Sequence, residues 1–164
     1  MHNDHAFYIS GSAMRSSMLT IIKEIGAILI EKQWTLSTAE SCTGGWISAA
    51  ITDMTESSAF FKGSVVAYDN SVKSSLLNVP DSILASYGAV SSQTVEAMVR
   101  GVCDLLKTEC ALSVSGIAGP GGATPGKPVG LVYIGLKVNN TVKSYKCQFY
   151  GAREQVRETT VKTA

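Results

Sequence analysis

The first clear pattern along the chain is helical. In "SMLTIIKEIGAILIEKQW", which begins at Ser17, apolar side chains recur at Leu19, Ile22, Ile25 and Leu29, the spacing of an amphipathic helix. Residues 1–16 carry no such pattern and are expected to form a loosely ordered lead. "TLSTAES" reads as a short strand running into a glycine turn, and "GGWISAAITDM" as a helix that starts at those glycines. A strand is expected at residues 63–68, followed by a short helix at residues 71–77. "SSQTVEAMVRGVCDLLKTE" is a second long amphipathic helix, with Ser91 or Ser92 as its cap. The apolar, partly β-branched strand "CALSVSGIAG" feeds a glycine–proline loop, "PGGATPGKPVG". "LVYIGLKVNNTVKSYKCQFY" then reads as a hairpin around Asn139 and Asn140, and "GAREQVRETTVKTA" opens a last helix.

Helices and strands alternate early and a hairpin follows late, with no internal repeat and no linker. That order predicts one domain over residues 17–164, an α/β fold with a mixed sheet. The loops that leave the strands after Leu36, Tyr68 and Ser115 are expected to gather at one end, where such sheets place their sites.

Composition narrows the function classes. The 164 residues are 45% hydrophobic and 16% charged, and 14 basic against 13 acidic side chains leave a formal charge of +1. A nucleic-acid partner would want clustered excess positive charge, and none is present. No apolar run is long enough for a membrane helix, and the start lacks the apolar core of a signal peptide, so a cytoplasmic protein is expected. The cysteines match no zinc spacing; Cys103, Cys110 and Cys147 read as reduced, structural residues. The only histidines are His2 and His5, in the lead. Acid–base chemistry here must therefore use Lys, Tyr, Asp or Glu.

Three segments carry candidate chemistry. In "TAESCTGG", a strand–turn–helix, the first helical amides have no intrahelical partner and the glycines allow close backbone approach. Such a turn can bind a phosphate or form an oxyanion hole beside Ser41 or Cys42. It can equally be a capped helix start, with Ser41 or Thr43 as the cap and Glu40 against the dipole. In "VAYDNSVKSSLL", Tyr68 ends a strand and Lys73 follows on a short helix. A lysine can activate a serine once its pKa is depressed, but Lys73 also reads as a solvated helix residue. The glycines of "SVSGIAGPGG" lack both the Walker and the dinucleotide spacing, leaving a phosphate nest or a structural turn.

Taken together, "TAESCTGG", "FKGSVVAYDNSVKSSLLNV", "YGAVSSQTVEAM", "SVSGIAGPGG" with "KPVGLVYIGL", and "GAREQVRETT" resemble the C-terminal domain of the competence/damage-inducible protein CinA and its stand-alone relatives, the nicotinamide-nucleotide amidases. The segments occur in the family's order, over roughly residues 20–160. The resemblance implies a three-layer α/β/α sandwich. It also implies hydrolysis of nicotinamide mononucleotide to nicotinate mononucleotide and ammonia in pyridine-nucleotide recycling, without cofactor or metal. Carried over, the serine nucleophile is Ser41, and the assisting tyrosine and lysine are Tyr68 and Lys73. Oxyanion donors are expected from Thr43, Gly44 and Gly45. Glu40, Asn70, Ser115, Gly116, Gly119, Gly121, Gly122 and Arg153 complete the expected substrate-binding set. The phosphate is assigned to the 119–122 loop or to Arg153, with Arg157 close by on the last helix. A homo-oligomer is expected, with neither nucleic acid nor membrane as partner. The alternative is a catalytically silent nucleotide-binding or interaction module of the same family.

Overall fold

The computed structural model of the protein describes residues 12–164, with side chains from residue 16 onward. Among the described residues, the elements are α1 (Ser12–Glu31), β1 (Leu36–Glu40), α2 (Trp46–Thr52), β2 (Phe61–Val66), α3 (Asn70–Leu77) and α4 (Asp81–Tyr87). They continue with α5 (Ser92–Leu106), β3 (Cys110–Gly116), β4 (Leu131–Val138), β5 (Thr141–Gln148) and α6 (Arg153–Thr163). A 3₁₀ turn at Ser57–Ala59 precedes β2.

The sheet has the order β2-β1-β3-β4-β5. β1 lies parallel to β2 and β3, whereas β4 and β5 run antiparallel, so the sheet is mixed. Alternate residues of each strand serve opposite faces. On one face Leu36, Cys110, Val114, Val132 and Ile134 pack with α1, α2 and α6. On the other, Ala39, Ala67 and Ala111 pack with α3 and α5. This is the expected three-layer α/β/α sandwich. Helix α5 anchors the second face: Val95, Met98, Val99 and Val102 are all fully buried. Each such burial is worth about 1.5–3 kcal/mol relative to exposure. Ser91 is its cap, accepting from the Thr94 amide.

Several boundaries differ from the expectation. Helix α1 starts at Ser12 rather than Ser17; the rest of the expected lead, residues 1–11, lies outside the described residues. Strand β2 begins at Phe61, ahead of the expected residue 63, because Phe61 pairs with Leu36 before a register shift at the next step. Helix α4 had no periodic signal, and it has no buried residue. No described helix is long and apolar enough to cross a membrane. An apolar cleft of about 380 Å³ lies between α1, the sheet and the last turn of α6.

The topology sets where chemistry can sit. The three parallel strands release their chains at one edge, after Glu40, Val66 and Gly116. The antiparallel partners bring Leu131 and Gln148 to that same edge, so α6 also starts there.

Candidate active site

The turn after β1 is built around a buried carboxylate. The Ser41 amide donates to Val114 O at 3.0 Å, which carries the β1–β3 pairing one residue further. Gly44 and Gly45 then adopt left-handed φ values of 59° and 97°, which favour glycine. Glu40, fully buried, folds back under the turn. It accepts from the Thr43 hydroxyl at 2.6 Å and from the amides of Gly45 and Ile47 at 3.0 Å and Ser48 at 2.8 Å. A carboxylate thus satisfies the orphan donors of α2 and opposes its dipole from the strand side.

This overturns part of the expected site. Glu40 is not presented to substrate; it caps α2. The Thr43 hydroxyl and the Gly45 amide are held by Glu40, and the Gly44 amide donates back to Ser41 O at 3.1 Å. The Thr43 hydroxyl and the Gly44 and Gly45 amides are therefore engaged within the turn and do not supply oxyanion donors.

Ser41 itself opens onto a cavity of about 200 Å³ at the strand edge. Of the expected residues, Ser41, Tyr68, Asn70, Lys73, Ser115, Gly116 and Arg153 line it. Cys42, Ala89, Val90 and Ala118 complete the wall. Ala89 and Val90 lie before α5 and carry no chemical signature, so sequence reasoning passed over them. The Ser115 hydroxyl donates to Ala89 O at 2.7 Å and fastens that wall to β3.

Lys73 is buried to 1% exposure. Its Nζ donates to Ala67 O at 2.9 Å and to Tyr68 O at 3.1 Å. The side chain reaches back from α3 because Asp69 caps that helix, accepting from the Ser71 amide at 2.8 Å. Burial pushes the Lys73 pKa below the ordinary lysine value, and the nearby Asp69 carboxylate offsets part of that shift. The reading of Lys73 as a solvated helix lysine is thereby excluded.

Tyr68 stands at the rim, 64% exposed, and its phenol oxygen accepts from Arg153 Nη2 at 3.3 Å. Arg153 Nη1 donates to Gly119 O at 2.8 Å. The glycine loop thus turns a carbonyl toward this arginine. Gly121 and Gly122 are exposed, and neither they nor Gly119 line the cavity. The phosphate nest expected there is not part of the cavity.

Arg157, one helical turn after Arg153, points elsewhere. Its Nε donates to Cys42 O at 3.1 Å and its Nη2 to Thr43 O at 2.7 Å. The guanidinium lies 3.5 Å from the centre of the Trp46 ring. The Cys42 thiol, next to Ser41, has its pKa pushed up to about 12, chiefly by burial. All four cysteines are free thiols. Among the described residues, no group of three or more His, Cys, Asp or Glu side chains is placed to hold a metal ion.

Comparison with known proteins gives one consistent result. The family model for the CinA C-terminal domain matches residues 18–164. A CinA-like protein of Endomicrobium trichonymphae is 50% identical over 145 residues, which is 88% of this chain and 34% of that protein. One from Dictyoglomus thermophilum is 50% identical over 130 residues, 79% of this chain and 32% of that protein. The chain spans about a third of the length of these curated relatives. Among solved structures, the competence/damage inducible protein CihA from Agrobacterium tumefaciens is similar, with a TM-score of 0.85 and 36% identity. That match covers 96% of this chain and 94% of the other. The competence damage-inducible protein A of Klebsiella pneumoniae has a TM-score of 0.86 at 33% identity, covering 90% of this chain and 91% of that one.

Proposed function

Because the chain belongs to the CinA C-terminal domain family, we propose that it is an amidohydrolase acting on the carboxamide of nicotinamide mononucleotide through Ser41, Lys73 and Tyr68. The observation that carries this reading is the shared cavity of Ser41 and Lys73, with the amine already oriented. A neutral amine has two N–H bonds and one lone pair. The carbonyls of Ala67 and Tyr68 take the two N–H bonds, and the lone pair is left for the serine proton. Burial favours that neutral form.

Ser41 Oγ attacks the carboxamide carbon while its proton passes to Lys73 Nζ. As the tetrahedral intermediate collapses, Lys73 returns the proton to the departing nitrogen and ammonia leaves. Water then attacks the ester; Lys73 takes a proton from the water and gives it to Ser41 Oγ, releasing nicotinate mononucleotide. The Tyr68 oxygen already accepts from Arg153, so its own proton is available as a donor toward the substrate at the rim. Burial holds the Cys42 thiol protonated and removes the thiolate advantage cysteine would otherwise have, so the preference for Ser41 rests on the family resemblance and on Lys73 as a base for its hydroxyl.

One observation favours a second reading, a pocket that binds a nucleotide without turnover. The amide of Gly45, one of the expected oxyanion donors, is held by Glu40. Incubation of the purified protein with nicotinamide mononucleotide separates the two. The amidase releases ammonia and nicotinate mononucleotide in equal amounts, whereas a silent module is protected against heat by the nucleotide and releases neither.

A further inference from the structure

The turn that carries Ser41 is held from two sides by different chemistry. On the inner side the Glu40 carboxylate collects its amides. On the outer side Arg157 collects its carbonyls, with Nε on Cys42 O and Nη2 on Thr43 O. Both acceptors belong to the residues that immediately follow the serine. Two N–H groups of one rigid plane therefore fix the orientation of two successive peptide units. The plane is itself fixed, because it stacks on Trp46, the first residue of α2. One turn earlier on the same helix, Arg153 joins Tyr68 to Gly119 O. Helix α6 thus sets the register of the serine turn and of the tyrosine rim together.

We infer that Arg157 is a positioning residue: its guanidinium, braced on Trp46, holds the Cys42 and Thr43 carbonyls so that Ser41 keeps its place in the cavity it shares with Lys73. This inference rests on the amidase reading for its kinetic consequence but not for its structural one. Arg157 lies one turn from Arg153, the residue expected to meet a phosphate, and the geometry assigns its N–H groups to the protein's own backbone. Lysine does not replace it, since an ammonium has no plane to stack on Trp46 and cannot hold its donors in the fixed fork of a guanidinium. A displacement of about 1 Å at a reacting atom costs on the order of a hundredfold in rate.

The experiment compares wild type with Arg157→Lys and Arg157→Ala in two arms. In the first, hydrogen–deuterium exchange is followed on peptides covering residues 40–48, whose amides are those of the serine turn. Exchange there is expected to rise in both variants while peptides from α5 stay unchanged. In the second, ammonia release from nicotinamide mononucleotide gives kcat and KM. The expected result is a loss of about a hundredfold in kcat with KM within about twofold, and partial recovery of Arg157→Ala by added millimolar guanidinium. Unchanged exchange at the turn overturns the inference. So does a loss confined to KM, or a kcat within about threefold of wild type in both variants. If Arg157→Ala does not fold, the Arg157→Lys results decide alone. A wild-type protein that releases no ammonia defeats the amidase reading, and the exchange arm still decides whether Arg157 holds the turn.

Discussion

Replacing Glu40 by glutamine should destabilise the protein far more than its small chemical change suggests. The side chain is fully buried, and one oxygen, Oε2, accepts from the Thr43 hydroxyl and the Gly45 and Ile47 amides. The other, Oε1, accepts from the Ser48 amide at 2.8 Å. A glutamine keeps the shape but has only one acceptor oxygen. With that oxygen on the three-donor side, its NH₂ meets the Ser48 amide, donor against donor. A hydrogen bond to a charged acceptor is worth roughly 1.5–3 kcal/mol, so losing one and weakening the rest costs about 3 kcal/mol. In a chain of this size about 1 kcal/mol moves Tm by 2–4 °C, so the expected drop is about 6–12 °C. Thermal unfolding followed by circular dichroism reads it directly. A Tm within about 2 °C of wild type, with substrate affinity reduced instead, would show that Glu40 faces the substrate and would refute the capping argument.

Other outcomes follow from the same geometry. Lys73→Arg should lose most of kcat and little of KM, because guanidinium cannot be deprotonated to act as base; a change in KM alone would make the lysine a binding charge. The activity of wild type should rise with pH on a limb below the ordinary lysine value of ~10.4, since burial depresses the Lys73 pKa. As pH falls, the unfolded chain takes up this proton first, so native stability declines from the ordinary lysine range down to the folded pKa and is level below it. Lys73→Met should remove that slope, which denaturant titrations across the alkaline range will show. Cys42→Ala should keep activity, and at pH 8 the buried Cys42 thiol, its pKa pushed up to about 12, should react with iodoacetamide far more slowly than a free cysteine. Mass mapping of early alkylation at Cys42 would contradict that.

Much of this arrangement was legible in the chain. The long amphipathic stretches reported α5 and most of α1, because a stripe at helical spacing leaves its period in the sequence, although in α1 the buried hydrophobic residues are Met18, Ile22 and Leu29 while the expected Ile25 is exposed. The hairpin of β4 and β5 turned where Asn139 and Asn140 said it would. Helix α4 stayed hidden because it is seven residues long and buries nothing fully, with only Ile83 and Leu84 half-buried against the α3–α5 face. At the site, residue type and spacing left Ser41, Tyr68 and Lys73 as open candidates, the family resemblance singled them out, and they line one cavity. Of the two readings the sequence left open at this turn, the structure bears out Glu40 against the α2 dipole and not the substrate roles of Glu40, the Thr43 hydroxyl, Gly44 and Gly45, and the ambiguity has one cause. A glycine turn before a helix looks the same whether its amides face a ligand or a carboxylate of the chain itself. Only the fold shows that Glu40 points inward from β1 beneath α2. Likewise, an arginine near a glycine loop suggests a phosphate, and no local pattern reveals that Arg157 reaches the carbonyls of Cys42 and Thr43.

The central claim is that Ser41 opens a carboxamide. Ammonia release from nicotinamide mononucleotide by wild type and by Ser41→Ala, each checked for the same Tm, tests it most directly. The account predicts ammonia matched mole for mole by nicotinate mononucleotide in wild type, and release indistinguishable from the no-enzyme blank in Ser41→Ala. Undiminished release from Ser41→Ala, or none from wild type, would contradict it.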